Sequence, residues 1–161
     1  MRTRPASIAT IVIAIGLGLT STGIAGSLPY TFAGLGGRTT VAADVWAHGT
    51  AISPSLVALV FVGLLGAIAM RPTHGGRRAA RSLAVLAGAI SLVGLAEPAQ
   101  RDAILFASVD AITVAVWAFH LALIALVLSA VGEARRQVIA EDAKPDTGVG
   151  FGPAAGAGAA A

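Results

Sequence analysis

The chain has 161 residues, of which 56% are hydrophobic, and its mean hydropathy is +0.83. A soluble domain of this size leaves much of its surface in water, so the composition argues against a soluble fold. Cysteine is absent, which excludes disulfides, thiolate metal sites and cysteine nucleophiles. The formal charge is +3, but no aromatic residues interleave with the basic ones. We therefore expect attraction to anionic lipid rather than nucleic-acid binding.

Four long apolar segments lie along the chain, at about residues 7–25, 53–70, 79–96 and 110–131. Each contains or approaches the roughly 20 apolar residues that cross a hydrocarbon core of about 30 Å. Their continuous apolar runs lack the alternation of barrel strands, which favours helices. Residues 1–142 are therefore predicted to form an all-α transmembrane four-helix bundle in the lipid bilayer.

The basic residues are distributed unevenly among the gaps, and cytoplasmic loops of membrane proteins retain Arg and Lys. Arg2 and Arg4 precede the first span, and only Arg38 and Arg101 lie in the first and third gaps. The remaining gap and the segment after the fourth span hold the other basic residues: Arg71, Arg77, Arg78, Arg81, Arg135, Arg136 and Lys144. This pattern predicts that the N and C termini are cytoplasmic, with residues 26–52 and 97–109 outside.

The inner basic residues are also expected to contact the headgroups of anionic lipids. These lipid contacts are predicted for Arg71, Arg77, Arg78, Arg81, Arg135 and Arg136. Ten Arg against one Lys, with abundant Ala and Gly, suggests a GC-rich bacterial genome. The predicted location is the bacterial cytoplasmic (cell) membrane.

The first segment has an alternative interpretation. Its basic start and its small residues up to Ala25 also resemble a secretory signal cleaved after Ala25, which would leave three spans. The apolar run is longer than the roughly 7–15 residues of a signal, which favours an uncleaved span. Either alternative leaves the C terminus inside.

Turn-forming residues and composition mark the boundaries of the later elements. Ser53 and Pro54 are predicted to open the second helix as N-cap and first-turn proline, and Glu97-Pro98 to close the third. The long outer segment 26–52 is rich in aromatic residues suited to the headgroup interface, and we expect it to lie over the bundle. Residues 143–161, with Pro, Asp and a Gly/Ala tract, are predicted to be a disordered cytoplasmic tail.

Small residues at four-residue spacing let helices approach closely in lipid. On this basis we predict that such residues form the bundle interior: Gly18 with Thr22, Gly63 with Ala67, Ala84 with Gly88, and Ala118 with Ala122 and Ser129.

One ionisable residue, His120, lies near the middle of the fourth predicted span, where such groups are costly and usually face other helices or water. Asp110, Thr113, Trp117 and His120 follow helical spacings and form one stripe from the outer surface to the bilayer centre. The stripe is about 15 Å long, so a proton relay along it needs Thr113 or water as an intermediate. These four residues are the candidate intramembrane polar site.

The structural interpretation of His120 is a neutral side chain that donates one interhelical hydrogen bond, to a backbone carbonyl or to Ser91, Thr20 or Ser21. Acidic residues and a histidine also occur in the outer segments: Asp44, His48, Glu97, Asp102 and Asp110. Their spacing does not support a metal site, so we predict solvated loop charges and neither metal nor cofactor.

Several stretches together resemble an uncharacterised actinobacterial family of small four-span integral membrane proteins. The resemblance is carried by the Arg-rich inner loop, by Ser91-Leu-Val-Gly-Leu-Ala-Glu-Pro98 and by His120-Leu121, and it covers about half of the chain. The long aromatic outer segment and the extended tail depart from the family. The resemblance implies architecture and location alone.

Three classes of function remain. The leading prediction is a noncatalytic multi-pass membrane protein, an accessory or scaffold subunit that packs against itself or against a membrane protein partner. The alternative is a small proton- or cation-coupled transport component that uses His120. An intramembrane enzyme is the weakest class, because the sequence shows no nucleophile–base pair and no pair of deep carboxylates.

Overall fold

The computed structural model of the chain describes residues 4–26, 30–32, 35–38, 48–105 and 109–143. Its elements, in chain order, are α1 (Pro5–Ala25), β1 (Tyr30–Phe32), β2 (Leu35–Arg38), α2 (Leu56–Ile68), α3 (His74–Ala96), α4 (Pro98–Ile104) and α5 (Ala111–Asp142). The two strands pair as an antiparallel hairpin. Helices form the rest of the architecture, which agrees with the predicted class.

Within the described ranges, α1, α3 and α5 are long and apolar enough to cross a membrane. Helix α2 is apolar but has only 13 residues. At 1.5 Å per residue it covers about 20 Å, less than a hydrocarbon core of about 30 Å. The second predicted span is therefore a shorter helix with non-helical residues at both ends.

The predicted start of this second helix is wrong by two residues, because Ser55 rather than Ser53 is its N-cap. The Ser55 hydroxyl oxygen accepts a hydrogen bond from the Ala58 backbone N–H at 3.1 Å. Ser53 instead pairs with Thr50 in an isolated bridge just before the helix. The predicted stop at Glu97-Pro98 is confirmed, since α3 ends at Ala96 and Pro98 begins α4.

Four helices pack in a closed order, in which α1 contacts α2 and α5, and α3 contacts α2 and α5. The short helix α4 lies against α3 and α5. Each of the four packed helices α1, α2, α3 and α5 contributes large apolar side chains that are almost fully buried: Val12, Leu59, Val62, Leu83, Val116, Phe119, Leu123 and Leu126. The core is thus shared by all four helices.

Glycines permit the closest helix contacts, and of the predicted glycines Gly63 is one of them, since a Cβ there would lie 2.9 Å from Ile13 Cδ1. Others lie at positions that were not predicted. A Cβ added at Gly16 would lie 2.7 Å from Leu59 Cδ2, and one at Gly66 would lie 2.8 Å from Ala9 Cβ. Gly18 and Gly88, by contrast, are exposed, and a Cβ there would meet nothing within 4 Å. The prediction that these two glycines face the interior is therefore wrong. In a chain so rich in Gly and Ala, the four-residue spacing occurs on more than one helix face.

The outward faces of the four packed helices carry large apolar side chains. Those more than two-fifths exposed include Ile11, Leu17, Ile24, Val57, Val60, Phe61, Leu64, Val85, Leu92, Leu95, Val114, Leu121, Ile124 and Leu128. We call this set the apolar belt. An apolar surface on every side of the helices is what a lipid environment favours and what water disfavours.

Helix α5 continues to Asp142, eleven residues beyond the predicted end of the fourth span at 131. Its last turns carry charged residues, so the helix extends past its apolar part. Within the predicted tail, residues 144–161 lie outside the described residues, as does most of the 26–52 segment that was expected to cover the helices.

Candidate functional site

Buried polar side chains gather at one end of the helices. In the part of the chain that the structure describes, the buried polar or charged residues are Thr20, Thr50, Ser53, Glu97, Gln100 and Thr113. They come from the second half of α1, the segment before α2, the α3–α4 junction and the first turn of α5. Because neighbouring helices run in opposite directions, these positions lie at the same end, which we call the polar end.

Three hydroxyl groups of the polar end form a hydrogen-bonded chain. Thr20 Oγ1 lies 2.9 Å from the Gly16 carbonyl oxygen and 3.1 Å from Ser53 Oγ, and Ser53 Oγ lies 2.8 Å from Thr50 Oγ1. A hydroxyl has one proton, and a carbonyl can only accept. Thr20 therefore shares its proton between the Gly16 carbonyl oxygen and Ser53 Oγ, and the proton between Ser53 and Thr50 can come from either hydroxyl.

A tight turn places Thr50 in this chain. Gly49 has φ +82°, and a Cβ there would overlap the Ser53 carbonyl oxygen. Only glycine adopts this conformation without strain. Helix α1 packs closely against this turn at Gly23, because a Cβ on Gly23 would lie 2.6 Å from Thr50 Oγ1.

The α3–α4 junction turns Glu97 and Gln100 inward. Glu97 is 2% exposed and Gln100 5% exposed. The prediction that the outer acidic residues are solvated loop charges is therefore wrong for Glu97. Its extended backbone, φ −77° and ψ 120°, sets the angle between the two helices. Gly94 provides space for Gln100, since a Cβ at Gly94 would lie 2.7 Å from Gln100 Cδ.

The candidate residue His120 contacts Gln100. The two Nε2 atoms lie 3.0 Å apart. An amide nitrogen can only donate, so in this orientation Gln100 donates to an unprotonated Nε2 of His120, and the proton of the neutral ring is on Nδ1. His120 thus forms an interhelical hydrogen bond, as its structural interpretation predicts. The partner, however, is Gln100, and the His120 ring accepts the bond rather than donating it.

Trp117 and Asp110 also have defined partners. Trp117 Nε1 donates to the Ala103 carbonyl oxygen at 2.7 Å, so Trp117 and His120 both connect α5 to α4. Asp110 is the N-cap of α5 and accepts from the Thr113 backbone N–H at 2.8 Å. Hydrogen bonds from the Thr113 backbone and side chain lower the pKa of the exposed Asp110 carboxyl. The predicted stripe is therefore connected to α4 at two points, and its outer end is a helix cap.

A partly open cavity of about 260 Å³ lies between α2 and α3 at the polar end. Its lining includes the acid Glu97 and the other polar residues His48, Thr50, Ser53, Ser55 and Gln100. The remaining lining residues are Pro54, Ala58, Ala89, Ile90, Val93 and Gly94. The cavity is therefore polar toward the helix ends and apolar toward the middle.

Beyond His120 the buried side chains become apolar. The next residues of α5 in the core are Leu123, Leu126 and Ala130. Within the described ranges, the buried polar residues all lie at the polar end. A continuous polar path from one end of the helices to the other is therefore not formed by the described residues in this conformation.

The opposite end of the helices carries the predicted basic residues. Arg77 Nη1 donates to Glu141 Oε2 at 2.9 Å, and Arg77 Nη2 donates to His74 Nδ1 at 2.8 Å. Arg136 pairs with Glu133 at 3.0 Å. The other arginines of this end, Arg71, Arg78, Arg81 and Arg135, are exposed. Lipid contact for the six arginines stays a prediction.

Sequence reasoning missed Gln100 and the burial of Glu97. A signal was present, because Gln100 and Ala103 have the three-residue spacing of one helix face just after a helix-starting proline. Among the described residues, no group of three or more His, Asp or Glu is arranged to hold a metal ion, and Asp44 lies outside them. Comparisons with protein-family models, with curated proteins and with solved structures find no match to this chain.

Proposed function

We propose that the chain is a four-span integral protein of a bacterial cytoplasmic membrane that acts without catalysis, as an accessory or scaffold subunit. Helices α1, α2, α3 and α5 cross the bilayer. Both termini and the α2–α3 connection are cytoplasmic, and the polar end faces outward. The resemblance to small four-span actinobacterial membrane proteins is consistent with this architecture.

The apolar belt supports the membrane location, since it covers the outward faces of all four helices. The uneven distribution of Arg supports the orientation. Helix α2 is short, but the residues flanking it and local thinning of the bilayer compensate for a modest mismatch. Packing supports an uncleaved α1, because Val12 is fully buried and Gly16 lies against Leu59 and Phe119.

The observation that carries the accessory role is a groove in the lipid-facing surface. It has a volume of about 230 Å³ and lies between α3 and α5, where small residues Ala84, Ala87, Gly88 and Ser91 face Leu123, Ile124, Val127 and Leu128. Gly88 is exposed and has open space beside it. Association of helices in lipid depends on such close backbone approach. In the proposed role, a transmembrane helix of a partner packs along this groove and inserts side chains into it.

Single cysteines test the orientation, because the natural chain has none. We expect a membrane-impermeant maleimide to label Asp102→Cys in intact cells, and to label Arg78→Cys and Asp142→Cys only after permeabilisation. Val116→Cys, at a fully buried position, is the unlabelled control. Labelling of Arg78→Cys in intact cells would contradict the proposed orientation. An N-terminal epitope that stays on the full-length chain supports the uncleaved first span, and its loss contradicts it.

Photocrosslinking tests the partner. A photoreactive residue at Gly88, in the groove, is compared with one at Val85, which is 73% exposed on the same helix. After mild-detergent purification, we expect a discrete crosslinked membrane protein from position 88 and only lipid adducts from position 85. A second copy of this chain in the adduct identifies a homo-oligomer. Equal, diffuse crosslinking at both positions would refute the accessory role.

The bond between His120 and Gln100 favours a second candidate, a proton- or cation-coupled transport component. Polar groups reach from the outer end to His120, although the described core beyond it is apolar, so transport requires a second conformation. His120→Leu is then expected to abolish ion-dependent uptake into proteoliposomes while insertion and expression are retained. Unchanged uptake in that variant refutes the candidate.

A further inference from the structure

We propose that the cavity at the polar end binds a small amphiphilic cation, namely a protonated primary amine that carries a compact apolar group. The outward position of the cavity rests on the proposed orientation, but the binding chemistry does not. The assignment depends on the charge of the lining, on its hydrogen-bonding character, on the gradient from polar to apolar and on the volume.

The lining contains a buried acidic side chain. Glu97 is the one carboxylate among the described residues that line the cavity, and it is 2% exposed. The only other titratable lining residue among them is His48, which is exposed. A carboxylate in a low-dielectric site attracts a cationic group more strongly than one in water does.

The hydroxyl and amide groups add acceptors to this charge. Of the hydroxyl groups that line the cavity, Thr50 and Ser53 bond to each other at 2.8 Å, and both oxygens have lone pairs that can accept from a ligand. Gln100 directs its amide nitrogen to His120, so its carbonyl oxygen is the remaining acceptor. A primary ammonium group, with three donors and no acceptor, complements this set.

The cavity also has the polarity gradient of an amphiphile. Glu97 lies at the helix end, and Ile90 lies seven residues earlier on α3, about 10 Å deeper. Ala58, Ala89 and Val93 complete the apolar part. An amine that partitions into the membrane interface holds its charge near the headgroups and its apolar group toward the hydrocarbon, which is the same orientation.

The volume limits the ligand to a small one. A dry cavity of about 150 Å³ is enough to hold benzene in a protein interior. The 260 Å³ observed here accommodates one ring with a short ammonium arm. Benzylammonium is therefore a suitable probe, and benzyl alcohol and benzoate are neutral and anionic probes of nearly the same shape.

The test is equilibrium binding of these three probes to the full chain in lipid nanodiscs, with empty nanodiscs as the reference for partitioning. We expect benzylammonium to bind about tenfold or more tightly than benzyl alcohol, and benzoate not to bind. Glu97→Gln, which keeps the shape of the side chain, is expected to remove that preference while benzyl alcohol affinity changes less than about twofold. Ala58→Leu, which fills the apolar part, is expected to weaken both ligands.

Each other outcome overturns the proposal. Equal affinity for the three probes would show an apolar cavity without cation selectivity, and no binding above empty nanodiscs would show that the cavity is not a site. If Glu97→Gln fails to fold, the preference among probes in the natural chain and the effect of Ala58→Leu still decide. Labelling of Asp102→Cys in intact cells separates the two proposals, because it reports orientation, whereas nanodiscs expose both faces of the bilayer and binding in them does not depend on orientation.

Discussion

The contact between Gln100 and His120 gives a quantitative prediction about the polar end. Gln100→Leu, His120→Leu and the double variant form a thermodynamic cycle in which the shape of each side chain is roughly kept. The atoms lie 3.0 Å apart and Gln100 is 5% exposed, so little water competes for the bond. Hydrogen bonds between transmembrane helices average about 0.6 kcal/mol in such cycles and reach about 1.7 kcal/mol. We expect a coupling of about 1 kcal/mol.

The assay is reversible unfolding in mixed micelles, with Trp46→Phe as the common background so that Trp117 is the remaining tryptophan. Its fluorescence reports the α4–α5 contact through its bond to Ala103. Each single variant is expected to lower the free energy of unfolding, and the double variant to lower it by less than the sum. In a control cycle, Ser91→Ala, on the groove side of α3, replaces Gln100→Leu. Its effect on the free energy of unfolding should be additive with that of His120→Leu. Additivity of Gln100→Leu and His120→Leu within about 0.3 kcal/mol would refute the bond as described.

Three further predictions concern packing, capping and the charged end. Gly16→Val is expected to lower the free energy of unfolding by about 1–3 kcal/mol, since the new Cβ would lie 2.7 Å from Leu59 Cδ2. Gly18→Val is the control, because its side chain meets open space and should change the free energy of unfolding little. Equal effects of the two variants in the same unfolding assay would contradict the packing. Asp110→Ala is expected to lower Tm at neutral pH and Asp110→Asn to retain most of it, because Asn also caps. The pKa of Asp110 is lower in the folded state than its ordinary value of 3.8. The stability that its charge adds is therefore fully present above 3.8 and is lost as the pH falls through the folded pKa. A Tm difference between the natural chain and Asp110→Asn that persists after full protonation would contradict this. Glu141→Gln is expected to change the free energy of unfolding by less than about 1 kcal/mol, because the Glu141 side chain that pairs with Arg77 is 63% exposed. A larger loss would show that the ion pair is shielded from solvent.

The helical class and the approximate positions of the long helices could be predicted from the sequence, because a continuous apolar segment has few alternatives to a helix in lipid. The end of α3 was also predictable, since Pro98 cannot continue the preceding hydrogen-bond ladder. The start of α2 was harder to predict, because Ser53 and Ser55 can both act as N-caps. The contacts of Ser53 with Thr20 and Thr50 decide between them, and a single sequence does not show these contacts.

The candidate site was only partly predictable. His120 and Trp117 stand out because polar atoms are costly in an apolar helix, and both indeed form interhelical bonds. Their partners lie on α4, in a segment that reads as a connecting loop, and a single sequence does not indicate which side chains of a loop fold inward. Packing faces were also uncertain, because Gly16 and Gly18 differ only in what another helix places beside them.

The central claim is that the apolar belt faces lipid and the polar end faces water, and a depth scan with spin labels tests it most directly. Single cysteines introduced at exposed positions Val85, Leu92, Leu121 and Leu128, and at Asp102, carry the label in liposomes, and the accessibility of each label to oxygen and to a water-soluble nickel chelate is measured. The account predicts that oxygen dominates at the four belt positions and that the nickel chelate dominates at position 102. Access of the nickel chelate to the belt positions would contradict a membrane-spanning arrangement.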